Sequence, residues 1–266
     1  MSARRPSWFF ASNELGSPPP SWRARATSGA AALLAISLVF CFSFQRLAYH
    51  LRWNAIYPYR QLFLQGWLIT IALSAGALVC STLAGLCSAL AQGSRFLPLR
   101  YLGKIYVELV RGTPLLVQIL IFFYVVADAF GVKDRYLVGV LTLSFFSGAY
   151  ISEIIRAGIE SVGRSQWESA RAIGLTRAQT YRYVVFPQAL RQTLPPLAGQ
   201  FVSLVKDSSL LSIIGIQEFT LSAQMANART YSTLECYLPL ALGYLILTLP
   251  ISLWTRRLEK RHKFDT

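Results

Sequence analysis

Gln200, Ser203, Lys206 and Asp207 are polar residues in a stretch otherwise suited to lipid. At about 100° per residue on a helix, Gln200, Ser203 and Asp207 fall within one arc of roughly 60°, with Lys206 on its flank. A charge at the centre of a membrane helix costs about 2.5–3.5 kcal/mol on insertion scales, so each needs a partner, solvent or a ligand. A carboxamide, a hydroxyl, an ammonium and a carboxylate together suit a zwitterionic amino acid, which presents both charges. They equally fit a structural network of Lys206, Asp207 and neighbouring helices, and the sequence leaves both readings open.

A second constellation lies between Ser165 and Pro187. Ser165 followed by Glu168, and Thr176 followed by Gln179, have the spacing of capping boxes, in which a hydroxyl and a reaching side chain satisfy unpaired backbone N–H groups. Gly174 is placed to end the first helix with a positive φ, and Pro187 to stop the second. Two short helices on one loop between apolar spans form a docking surface for a partner at the membrane face. Capping alone also accounts for Glu168 and Gly174, and packing for Trp167.

Other chemistries find no support. No G-x-x-x-x-G-K-[ST] pattern occurs, so ATP hydrolysis would have to come from a separate ATPase. No cofactor is called for. Cys41, Cys80 and Cys87 fall in apolar spans and Cys236 has no neighbouring cysteine, which reads as structural thiols rather than a disulfide framework or metal site. His50 and His262 belong to no nucleophile–base or metal arrangement.

Composition places these elements in a bilayer. Of 266 residues, 54% are hydrophobic and 14% charged, with a mean hydropathy of +0.43. A soluble domain carries about 25% charge. Apolar runs at about 28–45, 65–91, 103–127, 137–158, 197–216 and 236–255 approach the roughly 20 residues that cross a bilayer as helix. The fold class expected is an all-α polytopic membrane protein of about six spans. The first run has no small-x-small cleavage site after Phe44, which favours an uncleaved helix over a signal peptide.

The net charge of +14 does not imply nucleic acid, because the basic residues flank the spans. With the N-tail, the 92–104 loop, the 156–196 loop and the C-tail inside, 18 of the 26 Lys and Arg are internal and 6 external. The positive-inside rule then puts both termini and the Ser165–Pro187 loop in the cytoplasm. Arg46, Arg52 and Arg60 stand against that trend, on the outer side. The outer loops are too short for a binding domain, so capture of a solute outside needs the bundle or another protein.

Two stripes of small residues, Ala77, Ser81, Gly85 and Ala89 on one span and Ser144, Ser147 and Gly148 on another, read as close helix packing. Glu108 and Arg111, three apart on one face, are placed to pair.

The loop resembles the cytoplasmic EAA loop of binding-protein-dependent ABC transporter permeases. Glu168-Ser169-Ala170 precedes Gly174 by that family's spacing, and Val184-Val185-Phe186-Pro187 fills its end. Ser169, Val184 and Phe186 depart modestly from its Ala, Ile and Leu. Tyr106–Gln118, Glu153–Ile159, Pro187–Arg191 and Lys206–Leu210 resemble segments of its polar amino acid branch, and the likeness covers about residues 62–257.

The resemblance implies a permease subunit with that family's fold, moving a polar amino acid across the inner membrane. It implies ABC ATPase subunits docked through Glu168, Ala170, Gly174 and Pro187, a solute-binding protein outside, and a second permease, identical or a sister. Gln200, Ser203, Lys206 and Asp207 become candidates for the substrate path. The organisation expected is a disordered tail over 1–27, an extra helix and outer loop over 28–61, the permease domain over 62–257 with its loop at 160–195, and a basic tail over 258–266. A gated channel or a secondary transporter is the rival reading. A membrane enzyme lacks a catalytic constellation, and a scaffold would leave Lys206 and Asp207 unexplained.

Overall fold

A computed structural model of the chain describes residues 21–46 and 49–262. Contacts divide the chain after Leu51. In the first unit α1 runs from Trp22 to Arg46, and within its part Trp22–Ser43 an 18-residue window has a mean hydropathy of 1.9. The helix thus begins six residues before the apolar run at 28. Residues 1–20 of the expected tail, and 263–266 at the other end, lie outside the described residues.

The second unit opens with α2, Trp53–Ile56, and a 3-10 turn, Tyr57–Tyr59, leading into α3, Arg60–Gln92. Then come α4 (Leu97–Arg111), α5 (Leu115–Ile121), a π turn (Phe122–Val126), α6 (Ala127–Ala129) and α7 (Arg135–Glu160). The loop helices α8 (Arg164–Ala172) and α9 (Arg177–Thr180) follow. A π turn (Tyr181–Val185), α10 (Phe186–Asp207), a 3-10 turn (Ser208–Ile214), α11 (Phe219–Thr230) and α12 (Thr233–His262) complete the order. No strand occurs among the described residues.

Five helical stretches are long and apolar enough to cross a membrane, and six if the bent pair Leu97–Arg111 and Leu115–Ala129 counts as one. The six expected runs all have counterparts, but two differ in form. The third is not a straight span, since its halves meet at 110°. Pro114 lacks the N–H that would continue the ladder and takes an extended ψ of 137°. The Gln118 amide replaces the lost bonds, donating to the Val110 carbonyl at 2.8 Å, the Thr113 carbonyl at 3.2 Å and Thr113 Oγ1 at 2.8 Å.

The fifth is longer than 197–216. Helix continues through Pro187, which was expected to stop it, so the stretch runs from Arg177 to Ile214. Pro187 falls in the first turn of α10, directly after the π turn. A π turn changes hydrogen-bond register by one residue, and a first-turn proline needs no N–H partner.

Small residues hold the bundle together. On α3 the buried face includes Gly66, Thr70, Ser74, Ala77, Ser81, Gly85 and Ser88, and α7 packs along it. A Cβ at Gly85 would lie 2.7 Å from Ile151 Cβ, so that crossing requires glycine. Polar atoms stitch the seam: Gln92 Nε2 donates to Ser152 Oγ at 2.9 Å, and Ser152 Oγ to Ser88 Oγ at 3.1 Å. Both small stripes are therefore packing surfaces, with Ala89 at the edge and only part-buried. Beyond the seam Leu73, Ile119, Leu143, Leu204 and Leu211 form the main apolar core. The four cysteines are free, and only Cys236 is buried.

Candidate functional site

The Ser165–Pro187 loop is a folded hairpin of helices at the end of α7. Its first helix starts two residues earlier than the capping box requires. Gly163 is the N-cap and offers no side chain, so Ser165 lies inside the first turn and does not cap with Glu168. The second box is present: Thr176 Oγ1 accepts from Gln179 N–H at 3.3 Å, and Gln179 Oε1 accepts from Thr176 N–H at 2.9 Å.

Between the helices Gly174 adopts φ +80°. Gly174 N–H donates to the Arg171 carbonyl at 2.9 Å and Leu175 N–H to the Ala170 carbonyl at 3.1 Å. This pair of bonds is the Schellman ending, which needs a left-handed residue where Gly174 stands. Ile173 is 77% exposed at the apex beside it. Glu168 is exposed, whereas Ala170 is buried within the chain, so the small side chain serves internal packing rather than an outward face.

Two contacts seat the hairpin. The Trp167 ring meets Tyr181 edge-on at 4.9 Å, over a cluster of Val162, Val185 and Ala189. At the root, a Cβ on Gly158 would collide with the Thr193 methyl, so α7 and α10 touch closely where the loop leaves the bundle. Trp167, Arg171, Leu175, Arg177 and Tyr181 line a polar cavity of about 280 Å³ between α8 and the following turn.

Charges continue from this root into the bundle. Glu160, the last residue of α7, pairs with Arg156 at 2.7 Å, and Arg156 with Glu153 at 2.7 Å. Glu153 also takes Arg111 of α4 at 3.2 Å. The expected Glu108–Arg111 pair does not form. The last turn of α4 faces α7, where Arg111 reaches Glu153 and lies 5.7 Å from the Tyr150 ring centre, while Glu108 is exposed.

The polar residues of the fifth span are arranged differently from a single stripe. Gln200 Nε2 donates to Ser147 Oγ of α7 at 3.2 Å. Ser203 and Asp207 are half-buried and Lys206 is exposed. Lys206 and Asp207 form no ion pair among the described residues. Because the helix extends to Arg177, they lie near its far end, away from the loop, rather than at its middle.

Glu218 and Glu235, both 0% exposed, carry no sign of burial in the sequence. Glu218 caps α11, accepting from Thr220 N–H and Leu221 N–H at 2.8 Å each and from the Tyr244 hydroxyl at 3.0 Å. Glu235 accepts from Arg52 N–H. Glu218 is the N-cap of α11 and Glu235 lies in the first turn of α12, both positions that favour an acidic residue, but only the packed structure shows these carboxylates to be buried.

Residues 81–264 match the family described as binding-protein-dependent transport system inner membrane component. A glutamine transport system permease protein of Escherichia coli K12 is 36% identical over 213 residues, 79% of this chain and 97% of the relative. An L-cystine transport system permease protein of Bacillus subtilis is 41% identical over 194 residues, 72% of this chain and 82% of its own length. Among solved structures, an amino acid ABC transporter crystallised with histidines superposes with a TM-score of 0.75 at 36% identity, covering 80% of this chain and all of that one. The MetNI methionine ABC transporter shares the fold, with a TM-score of 0.65 at 16% identity, over 78% of this chain and 99% of its own. The chain belongs to this family. It is a permease subunit of an ABC transporter and a multi-pass inner membrane protein.

Proposed function

We propose that this permease carries a polar amino acid inward, driven by separate ATPase subunits and supplied by a solute-binding protein on the outer side. Relatives named for glutamine and cystine, at 36% and 41% identity, support the substrate class. The observation that carries the coupling role is the hairpin itself. A Schellman turn at Gly174 holds Ile173 outward on a base fixed by Trp167 and Tyr181. Glu168 and Gly174 are the loop residues that reach the ATPase, and Pro187 sets the path of α10 beneath them. A second permease, identical or a sister subunit, completes the pathway.

Both termini and the loop face the cytoplasm in this reading. Gln200, Ser203 and Asp207 line the path from the side opposite the loop, with Lys206 at its edge. The organisation is a tail ahead of α1 at Trp22, an added segment to residue 61, the permease domain over 62–257 and a basic end from 258 that continues α12 as far as His262.

Reconstitution with its ATPase and binding protein in liposomes tests the whole reading. Uptake of labelled glutamine, cystine or another polar amino acid should require ATP and the binding protein. Uptake down a gradient without the ATPase would replace it with a channel or secondary transporter.

A further inference from the structure

Arg52 and Arg60 lie on the side that the positive-inside rule leaves poor in basic residues, and the coupling role gives them no task. The structure supplies one for Arg60. Beside it is an apolar cavity of about 490 Å³, whose walls include Trp53, Tyr57, Phe63, Trp67 and Phe219. We infer that this cavity binds the acyl chain of an anionic phospholipid of the outer leaflet, with the lipid phosphate on Arg60.

Depth is the first argument. Trp53 and Tyr57 stand at the start of the first long span of this unit, the position of an aromatic belt at the membrane–water boundary, and Trp67 lies ten residues further along it. A cavity lined from Trp53 to Trp67 thus runs from that boundary level inward along the span, the length over which a headgroup gives way to its acyl chain. Charge is the second. Arg60 is exposed, stacks at 4.4 Å on the Tyr57 ring and donates to the Tyr57 carbonyl at 3.2 Å. Among the described residues it forms no ion pair. A guanidinium fixed in this way at an apolar opening is complementary to a phosphate and not to a neutral solute.

The walls are also built in advance. Phe63 and Phe219 meet edge-on at 6.1 Å, and Trp67 Nε1 donates to the Gly243 carbonyl at 3.3 Å. Phe219 follows Glu218, whose capping bonds and contact with Tyr244 fix the start of α11. Thr70 Oγ1 accepts from Phe219 N–H at 3.1 Å. The buried polar network thus holds the back wall of an apolar cavity, and little ordering is left for a ligand to impose.

The outer assignment rests on the orientation proposed above, while the lipid site itself requires only the boundary position. The test uses the full-length protein extracted from membranes containing both phosphatidylglycerol and phosphatidylethanolamine. Native mass spectrometry should find phosphatidylglycerol retained in preference. Arg60→Gln should reduce that preference about fivefold, the effect of one basic residue near an anionic surface, while Arg256→Gln with Arg257→Gln at the other end of the bundle leaves it unchanged. A phosphatidylglycerol with a photoreactive acyl chain should label the peptide holding Phe63 and Leu64. Equal retention of the two lipids, loss of preference only in the Arg256 and Arg257 variant, or labelling elsewhere would each overturn the site. None of these readouts depends on transport, and cysteine accessibility at Tyr57 reports the leaflet separately.

Discussion

Arg111, at the bend of the third span, and Glu153 of α7 meet at 3.2 Å. Their contact ties the broken span to α7, the helix that carries the loop. Through Arg156 and Glu160 the alternating charges reach the last residue of that helix. Each pair is partly exposed and alone contributes about 1 kcal/mol or less. Glu153, with its side chain 20% exposed against 42% for Arg111, is the shared partner of two arginines.

Glu153→Gln should therefore destabilise the detergent-solubilised protein more than Arg111→Gln, by about 1–2 kcal/mol against less than 1. Thermal unfolding of both single variants and the double variant measures it. Adding Arg111→Gln to Glu153→Gln should change little, and fully additive losses would show that the pair is not coupled.

At Gly174 nothing lies within 4 Å of an added Cβ, so the demand there is conformational and not internal space. Gly174→Asn, which tolerates the left-handed region, should keep most ATPase stimulation. Gly174→Val should lose it by straining the turn, at about 1–2 kcal/mol. Stimulated ATP hydrolysis by the assembled transporter is the measurement, and equal activity of the two variants would detach coupling from the turn.

Gly158 is demanded by space. Gly158→Ala drives a methyl into Thr193 Cγ2 and should cost about 1–3 kcal/mol. Thr193→Ser in the same chain removes that methyl and keeps a hydroxyl able to reach the Leu190 carbonyl, which Thr193 contacts at 3.1 Å. The serine should restore thermal stability, and no rescue would mean the helices do not cross as described.

Because Lys206 and Asp207 attract each other only at longer range and form no ion pair, their substitutions should couple weakly. Asp207→Asn should lower uptake several-fold with little change in melting temperature, and adding Lys206→Ala should change that loss by less than about twofold. Strong mutual rescue in the double variant would restore the structural network and remove Asp207 from the path.

The charge distribution predicts that a cysteine at Gly174 is labelled from the cytoplasmic side only, and one at Tyr57 from the outside only. A membrane-impermeant maleimide applied to intact cells and to inverted vesicles separates the two. The reverse pattern would invert every assignment of face.

The sequence by itself determined the class of fold and the family. Span length, small-residue stripes and glycine–proline punctuation are local, and each constrains backbone or burial without knowledge of its neighbours. Gly174 and the Thr176–Gln179 cap were legible for that reason. The tertiary structure decided what depends on who lies opposite. It turned Arg111 from Glu108 to Glu153, because α4 faces α7, and it left Lys206 exposed beside an unpaired Asp207. It also carried helix through Pro187 by way of a π turn, and used Gln118 to satisfy the carbonyls freed at Pro114. The burial of Glu218 lay beyond sequence reasoning for the same reason: Thr70 and Tyr244, which border its carboxylate and the start of α11, come from helices distant in the chain.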